Sequence, residues 1–355
     1  MFPLMPNREK GLTLAICTHN GKERLQPTLD HIFAQQVPPG IAWEVLLVDN
    51  LSTDGTAEWL KQNYSPDSAC PVRVVREEKL GAIHARERAI EEATFGYLSY
   101  IDDDNWIAHN WVAEIFRIFE AHPSVGIVSC PSAANLAEPP PKYYEGLKGW
   151  LAVGDIFPED GIVTARPAYF WTAGISLRLE AFNSLRGTAY KACLMGPTGR
   201  HPLAGEDHEM CLSLTILGWN VYYTHATSFI HDIPPSRLTV PYMEKMIRDR
   251  CKSLPILDIY KNVYWNKPFF NPHLAMIAGS FRFGVASLKY AVKSLAGLAP
   301  GPLHPNRLGV LSSLGRVQGY WTHFSQIAQA QRNVRILKSL SKQRGDEPRE
   351  QHGGI

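Results

Sequence analysis

The segment YLSYIDDD, residues 97–104, joins a mostly apolar run to three consecutive aspartates. The apolar run is typical of a buried strand, which places the carboxylates at its C-terminal end, where open α/β sheets bind ligands. Like charges about 4 Å apart repel by about 4 kcal/mol per pair in an intermediate dielectric, so the triplet predicts that a cation shares the site. Because strand side chains alternate between faces, Asp102 and Asp104 are expected on one side and Asp103 on the other. Two such carboxylates favour Mg²⁺ or Mn²⁺, although a solvated acidic turn is the alternative for the triplet alone.

Predicted strands and helices alternate on either side of this segment. Apolar runs predict further strands at residues 12–17, 43–48, 72–75, 126–130 and 221–224. Helical periodicity and capping signals predict helices at residues 25–33, 81–93, 110–121 and 209–217. This alternation predicts a parallel sheet with right-handed crossovers. The proline-rich segment 133–141 and the Gly/Pro-rich segment 186–205 are expected to be irregular loops.

The composition of the 355 residues, 45% hydrophobic and 20% charged, is that of a globular protein with one large domain and an appendage, or with two domains. The cysteines are scattered and form no Cys-x-x-Cys pair, which argues against a zinc knuckle or a disulfide framework and favours a reducing cytosol. Residues 1–10 contain no apolar segment typical of a signal peptide. No apolar run is long enough to predict a membrane-spanning helix.

The formal net charge of +2 hides two regions of opposite charge. Residues 261–345 contain 12 Lys or Arg and no Asp or Glu, whereas the rest of the chain contains 24 basic and all 34 acidic residues, a net charge of −10. Such a separation predicts that the two regions have different partners.

Within the basic region, apolar residues recur every three or four positions. The members of this apolar stripe are Leu274, Ile277, Phe281, Val285, Leu288, Val292 and Leu295. Arg282, Lys289 and Lys293 lie beside the stripe, so the segment is typical of a helix that lies in an anionic membrane surface. A basic helix packed on the rest of the protein is the alternative. No base-stacking pattern or known motif indicates a nucleic-acid partner.

Six motifs follow one another along the chain: ICTHNGKERL at 16–25, VLLVDNLSTDGT at 45–56, LGAIHARERAI at 80–90, YLSYIDDDNWI at 97–107, WTAGISLRLEAF at 171–182 and LAGEDHEMCLSLTILGWNVYY at 203–223. Together they resemble the inverting family 2 glycosyltransferases over about residues 11–240. The resemblance implies a GT-A fold, an α/β architecture with a Rossmann-like, mostly parallel sheet flanked by helices, followed here by a helical C-terminal appendage.

The resemblance also implies a domain organisation. A GT-A catalytic domain is expected at residues 1–240, with nucleotide-sugar binding at about 11–110 and acceptor binding at 111–240. A basic helical region at 241–345 and a disordered tail at 346–355 are expected to follow.

The implied donor-binding residues are Thr18, Asn20, Asp49, Arg86, Asp102 and Asp103. Thr18 and Asn20 would line the nucleotide pocket, Asp49 would accept hydrogen bonds from the base or ribose, and Asp102 would touch the ribose or donor sugar. Arg86 would approach the diphosphate.

The implied metal ligands are Asp104 and His231, which lies in FIHDIPPSRLT at 229–239, and His225 is the competing histidine. The ion would be Mn²⁺ or Mg²⁺. A divalent ion that bridges the donor phosphates would stabilise the departing nucleoside diphosphate.

The implied catalytic residues are Asp207 and Glu206. An acceptor hydroxyl has a high pKa and needs a base in the transition state. By resemblance Asp207 is that base, and Glu206 orients the site or the acceptor. Asp207 also heads a predicted helix, where a carboxylate is favourable, and the two roles are compatible.

These features predict a metal-dependent, inverting glycosyltransferase that moves a sugar from a nucleotide-sugar donor to a hydroxyl of a glycan or lipid-linked acceptor, in polysaccharide or glycolipid assembly. The expected location is cytoplasmic and peripheral, on the cytoplasmic face of a membrane. A sugar-nucleotide nucleotidyltransferase is an alternative, but it would need a Gly-rich loop where THNGKERL has one glycine. A non-catalytic, membrane-associated nucleotide-sugar binding protein would lack the base or metal carboxylates, and both are present.

Overall fold

The computed structural model describes residues 8–64, 72–186, 188–194, 196–197, 202–267, 271–295, 303 and 305–346. The strands are Glu9–Thr18 (β1), Trp43–Asp49 (β2), Val72–Arg76 (β3), Phe95–Asp102 (β4), Asn105–Ile107 (β5), Val125–Ser129 (β6), Ser132–Leu136 (β7), Gly161–Ile162 (β8), Ser176–Arg178 (β9), Gly196–Pro197 (β10), Pro202–Leu203 (β11), Asn220–Tyr223 (β12) and Phe229–Ile233 (β13). The α-helices are Lys22–Phe33 (α1), Thr56–Asn63 (α2), Ala82–Glu92 (α3), Trp111–Ala121 (α4), Tyr144–Leu147 (α5), Leu179–Asn183 (α6), Glu206–Ile216 (α7), Val240–Cys251 (α8), Leu254–Lys261 (α9), Pro272–Leu295 (α10), Pro305–Thr322 (α11) and Phe324–Asp346 (α12). Apart from Asp346, the expected disordered tail lies outside the described residues.

The central sheet contains eight strands in the order β3-β2-β1-β4-β9-β6-β12-β8. Strands β3, β2, β1 and β4 are parallel to one another, and β12 is parallel to β6. Strand β9 is antiparallel to both neighbours, and β8 is antiparallel to β12. The predicted α/β fold with a large, mostly parallel sheet is therefore confirmed, with antiparallel strands inserted in its second half.

The strand order reverses beside β1, and this reversal positions the candidate donor residues. The chain runs outward from β1 to β2 and β3 and then returns to β4 on the other side of β1. In register, Thr18 pairs with Asp49 and Cys17 pairs with Asp102. These side chains therefore meet at the carboxyl ends of adjacent strands, the position where open α/β sheets form a ligand-binding crevice.

Helices cover both faces of the central sheet. On one face, Leu25 of α1 and Ile115 of α4 belong to the same buried cluster as Ile16 of β1. On the other face, Ala85 of α3 and Leu212 of α7 lie in a second buried cluster. Strands buried on both faces are expected to be continuous apolar runs, which is why the sequence pattern identifies them.

A smaller sheet brings distant parts of the chain together. Strand β13 pairs antiparallel with β5 and parallel with β7. His231 lies opposite Asn105, and the backbone N–H of Asp232 donates to the carbonyl of Asp104 at 2.8 Å. A candidate metal-binding histidine is thereby fixed beside the aspartate triplet.

The prediction of an irregular loop at 133–141 is wrong for its first residues, which belong to β7. The sequence of β7, SAANL, has no β-branched or aromatic residue, so its pairing with β13 leaves no local signal. The predicted loop at 186–205 likewise contains the two-residue strands β10 and β11, which pair antiparallel.

The C-terminal helices pack against α7, the helix that carries the candidate base. Helix α11 lies along α8, and α12 contacts α7 and α9. Asn333 of α12 donates to the hydroxyl of Tyr260 at 2.8 Å, and Tyr260 donates to Glu209 of α7 at 2.5 Å. Burial raises the pKa of Glu209, which is 1% exposed, and its carboxyl group accepts hydrogen bonds from Tyr260 and from the backbone N–H groups of Cys193 and Leu194. The boundary at residue 240 stays a prediction.

Helix α10 packs on α11 with one face and exposes the other. Gly279 faces Tyr320 of α11. The opposite face carries large apolar side chains that are 37–74% exposed: Leu274, Ile277, Phe281, Val285, Leu288 and Val292. The side chain of Leu295 lies outside the described residues. No helix within the described ranges has the length and apolarity needed to cross a membrane.

Close contact between α8 and α11 depends on glycine. A Cβ atom at Gly315 would lie 2.3 Å from the carbonyl oxygen of Arg248, and one at Gly319 would lie 2.1 Å from that of Lys252. We expect Gly319→Ala to lower the free energy of unfolding by about 1–3 kcal/mol, because the helices must move apart. The matched control Gly309→Ala, in the same helix with no atom within 4 Å of its Cβ, should raise it by up to about 1 kcal/mol. Urea unfolding followed by circular dichroism measures both, and equal effects would contradict this packing.

Candidate active site

A cavity of about 730 Å³ lies at the carboxyl ends of β1 and β4. Its acidic lining residues are Asp102, Asp103, Asp104, Glu206 and Asp207. Its basic lining residues are Arg86, Arg237, Arg250 and Lys261. Its large aromatic lining residues are Trp150, Tyr169, Trp171 and Tyr242. A concave pocket with convergent charged groups is where a binding or catalytic site is expected.

The three aspartates of the triplet face three different cations. Strand β4 ends at Asp102, and the next two residues form a turn. Oδ1 of Asp102 lies 3.7 Å from Nη2 of Arg86, and Oδ2 of Asp104 lies 3.1 Å from Nη1 of Arg237. The electrostatic argument from the sequence predicted a shared cation, and arginine side chains supply positive charge at each carboxylate.

Asp103 anchors the start of α1 to the end of β4. Its Oδ2 accepts hydrogen bonds from the hydroxyl of Thr18 at 2.7 Å and from Nη2 of Arg24 at 2.8 Å. Its backbone carbonyl accepts a third from the hydroxyl of Thr28. Gly21 passes so close that an added Cβ would lie 2.5 Å from Oδ2 of Asp103. These contacts hold Asp103 in place at the wall of the cavity, and its implied role in donor binding stays a prediction.

His231 lies next to Asp104 with a defined tautomer. Nε2 of His231 is 3.5 Å from Oδ2 of Asp104, and Nδ1 is 2.8 Å from the carbonyl oxygen of Leu151. Since a carbonyl only accepts, Nδ1 carries the proton, and Nε2 is the nitrogen that can bind a metal. Burial acts to raise the pKa of Asp104, but a hydrogen bond and charge from protonated His231, together with the charges of Arg237 and Arg24, outweigh it, so the pKa is lowered. A metal at Nε2 would take the place of the proton that makes this hydrogen bond.

Asp104 and His231 fit a divalent ion that receives its other ligands from a substrate. Two ligands each about 2.1 Å from an octahedral ion lie roughly 3 Å apart, close to the observed 3.5 Å. Nη1 of Arg237 lies between them, 3.1 Å from Asp104 and 3.4 Å from His231. Within the described part of the chain, no group of three His, Cys, Asp or Glu could hold a metal. Phosphate oxygens and water would therefore complete the coordination, as is common for Mg²⁺.

The competing histidine, His225, lies in a different cluster. Its Nδ1 is 2.5 Å from Asp160 and its Nε2 is 3.0 Å from Asp155. The hydrogen bond to Asp160 raises the pKa of His225, and Asp155 adds to the effect. Of the two histidines, His231 is the one that faces Asp104.

A buried carboxylate oxygen without a partner among the described residues lies at the end of β2, outside the set of residues that line the cavity. Asp49 is 1% exposed, and its Oδ1 accepts from the backbone N–H of Ser52. Its Oδ2 has no hydrogen-bond partner among the described residues, and such a group is expected to be completed by a ligand or water. Asn20, at φ +52°, accepts from the backbone N–H of Thr53 at 2.8 Å and so joins the loops after β1 and β2.

Arg86 of α3 lies between two candidate carboxylates. Its Nη1 donates to Oε1 of Glu206 at 2.5 Å, and its Nη2 lies 3.7 Å from Asp102. Burial acts to lower the pKa of Arg86, but the two carboxylates outweigh it and the pKa is raised. Burial raises the pKa of Glu206 and of Asp102, and Arg86 offsets part of that rise. Arg86 thus links β4 to α7, and its implied contact with a diphosphate stays a prediction.

Asp207 lies in the first turn of α7 and lines the cavity. The chain enters this helix through Gly205 at φ +112°, a left-handed backbone that favours glycine. Oδ2 of Asp207 accepts from the backbone N–H of Thr172 at 3.2 Å, and Oδ1 accepts from that of His208 at 2.8 Å. These backbone donors fix the carboxylate in one orientation, so a helix-terminal role and a role in the cavity coexist.

Sequence reasoning missed Arg24, Arg237 and Thr172. Arg24 stands in THNGKERL, within the first of the six motifs, and Arg237 stands in FIHDIPPSRLT, the segment that contains His231. The charge repulsion within the triplet predicts a cation, but it does not indicate which residue supplies the charge. Thr172 acts through its backbone, and a backbone donor leaves no signal in the residue type.

Two family models match this chain. The model described as glycosyl transferase family 2 matches residues 13–167, and the model described as glycosyl transferase family group 2 matches residues 97–296. The second match alone covers more than half of the chain.

Curated relatives and one solved structure agree with these matches. ExoM of Rhizobium meliloti, a succinoglycan biosynthesis protein, is 24% identical over 245 residues, which are 68% of this chain and 73% of ExoM. TuaG of Bacillus subtilis, named as a teichuronic acid biosynthesis glycosyltransferase, is 33% identical over 103 residues, 29% of this chain and 39% of TuaG. The mannosyltransferase PcManGT of Pyrobaculum calidifontis, solved with GDP-Man and Mn²⁺, matches with a TM-score of 0.53 at 18% identity, covering 97% of this chain and 90% of that one. At that identity the structural match shows the fold, and it confirms the predicted GT-A architecture.

Proposed function

This chain belongs to the family 2 glycosyltransferases. We propose that it transfers a sugar from a nucleotide-sugar donor to a hydroxyl of a glycan or lipid-linked acceptor, with inversion at the anomeric carbon. The observation that carries the proposal is the convergence of Asp104, His231 and Asp207 on one cavity. Asp104 and His231 would hold a divalent ion together with the donor diphosphate, and Asp207 would take the proton of the acceptor hydroxyl. Assembly of a polysaccharide or glycolipid is the proposed setting, as the names of ExoM and TuaG indicate for those proteins.

The donor would bind at the strand-order reversal. The unpartnered Oδ2 of Asp49 would accept a hydrogen bond from the base or ribose. Thr18 and Asn20 would line the pocket, the first through its bond to Asp103 and the second by holding the adjacent loop. Asp102, at the end of β4, would face the ribose or the donor sugar.

Asp104 and His231 would hold a divalent ion, Mn²⁺ or Mg²⁺, together with the donor diphosphate. When bound, such an ion neutralises the charge that develops on the leaving diphosphate. Arg237 has a side chain that is 35% exposed and would move from between the two ligands.

The transfer would be a single displacement. The acceptor oxygen forms a bond to the anomeric carbon while the bond from that carbon to the phosphate oxygen breaks, and its electron pair leaves with the nucleoside diphosphate. Asp207 takes the proton of the acceptor hydroxyl. Glu206, held by Arg86 and by the backbone N–H of Gly205, would orient the start of α7.

We further propose that α10 places the enzyme on the cytoplasmic face of an anionic membrane. Six apolar side chains on one face of α10 are exposed, and exposed apolar patches of this kind mark interaction sites. Arg282 and Lys289, beside them, are also exposed. Acidic lipid would attract this face, at about 1 kcal/mol per basic residue near the surface.

Metal-dependent nucleotide binding is the direct test of the proposed function. Thermal unfolding with Mn²⁺ and each common nucleoside diphosphate identifies the base, since a ligand at a hundred times its Kd stabilises by about 2.7 kcal/mol. With that ligand, Asp104→Asn should lose most of the Mn²⁺-dependent affinity in calorimetry, because one of two protein ligands is weakened. Asp103→Asn should lose less, because Asp103 faces Arg24 and Thr18. Equal affinity in wild type and Asp104→Asn would contradict the assignment.

Removing the candidate base, Asp207, should lower the turnover number and leave the affinity for the donor nucleotide nearly unchanged. Asp207→Asn is expected to lower kcat by something like 10²–10⁴, the usual range for general-base loss. The Kd for the nucleoside diphosphate should stay within about twofold, since Asp207 does not hold the donor. A fall of less than about threefold in kcat would place the base elsewhere, and Glu206→Gln would then be the informative variant.

Membrane binding should depend on the charge beside the stripe on α10. Binding to phosphatidylglycerol vesicles, measured by co-sedimentation, should weaken as salt rises, because the Debye length falls to about 3 Å at 1 M. Arg282→Glu with Lys289→Glu should abolish most binding and leave nucleotide affinity unchanged. The same charge change on α12, Arg332→Glu with Lys338→Glu, is the matched control and should weaken it much less. A wild-type chain that ignores these vesicles at low salt would refute the membrane proposal.

A further inference from the structure

Two cations of the cavity differ from the others in having no carboxylate partner within the part of the chain that the structure describes. Arg250 lies near the end of α8 and Lys261 ends α9, and both line the cavity that contains Asp207. None of the ion pairs among the described residues includes either of them. The cavity-lining arginines on the donor side, Arg86 and Arg237, are each paired with acidic residues.

Neutral contacts hold the two cations in place. Arg250 donates through Nη1 to the carbonyl oxygen of Trp150. The ammonium group of Lys261 lies 4.4 Å from the ring centroid of Tyr169, whose ring lies 4.3 Å from that of His208. Each side chain is thus half-buried and oriented by contacts to uncharged groups.

The charges of Arg250 and Lys261 affect the pKa of His208, which follows the candidate base Asp207 in the sequence. Burial lowers the pKa of His208, and the positive charges of Lys261 and Arg250 lower it further, while Asp207 acts against both. His208 is therefore kept neutral beside two fixed cations. Both positive charges face the same concave, partly buried cavity, and an anion bound there would be attracted by both.

We propose that Arg250 and Lys261 form an acceptor subsite that binds an anionic group, a phosphate or a carboxylate, of the acceptor molecule. This inference rests on the proposed glycosyltransferase function and specifies the acceptor class. The acceptor sugar would lie against Trp150 and Tyr169, with its hydroxyl at Asp207 and its anionic group at the two cations. The charge-assisted hydrogen bonds would favour a charged acceptor over a neutral one of the same shape.

Three probes test whether the proposed subsite prefers a carboxylate, a phosphate or neither. Octyl β-D-glucuronide carries a carboxylate, octyl glucosyl diphosphate carries phosphate, and octyl β-D-glucoside is neutral. Calorimetry uses the full chain saturated with Mn²⁺ and its preferred nucleoside diphosphate, with each probe below its micellar concentration. At least one anionic probe should bind about tenfold or more tightly than the neutral one, and the tighter of the two identifies the source.

Substitutions of Arg250 and Lys261 test whether these two residues cause the tighter binding of an anionic probe. Arg250→Gln and Lys261→Gln should each remove most of it, whereas the charge-conserving Arg250→Lys should retain part of it. Lys267→Gln is the matched control, because Lys267 also lies over an aromatic ring, that of Trp265 at 4.9 Å, but is exposed and does not line the cavity.

The outcomes separate this inference from the proposed function. Equal binding of all three probes, no binding of either anionic probe, or an anionic preference that survives both Gln substitutions would overturn the anionic subsite. A fall in nucleoside diphosphate affinity in the Gln variants would also overturn it, since the cations would then serve the donor. A wild-type chain that binds no nucleoside diphosphate would contradict the proposed function itself.

Discussion

The arrangement of the cavity depends on arginine side chains placed between carboxylates. Asp102 and Asp104 belong to one triplet and Glu206 comes from a distant part of the chain, and bringing the three together would be unfavourable without compensating charge. Arg86 joins Asp102 to Glu206, and Arg237 faces Asp104. Truncating a buried partner of this kind leaves an uncompensated charge. The two contacts of Arg86 link the end of β4 to the start of α7, and Arg86, Asp102 and Glu206 all line the cavity.

The charge separation in the sequence corresponds to a spatial one. The acidic residues of the cavity come from the rest of the chain, and the basic C-terminal region supplies Lys261 and the exposed face of α10. Helix α10 packs on α11, α11 packs on α8, and α8 carries Arg250. A continuous set of helices therefore connects the proposed membrane surface to the proposed acceptor subsite, which suits an acceptor presented at a membrane.

The central sheet and its ligand-binding end could be predicted from the sequence, because strands buried on both faces are continuous apolar runs and ligands bind where such strands end. The arginines that compensate Asp103 and Asp104 could not be predicted from the sequence. Arg24 and Arg237 are separated from their aspartates by 79 and 133 positions, and long-range ion pairs leave no local pattern. The position of His231 depends on β7, whose SAANL sequence favours no strand, so the small sheet was missed even though the histidine itself was identified. The cations of the acceptor side, Arg250 and Lys261, lie beyond the motifs that carry the family resemblance.

Anomalous diffraction at the manganese absorption edge would locate the proposed metal site. Crystals would be grown with Mn²⁺ and the nucleoside diphosphate that most stabilises the protein. We expect one manganese peak within bonding distance of the Asp104 carboxylate and Nε2 of His231, in contact with the diphosphate, with Arg237 displaced from between them. Manganese bound away from these two residues, or a diphosphate bound in the cavity with no manganese beside it, would contradict a metal site formed by Asp104 and His231.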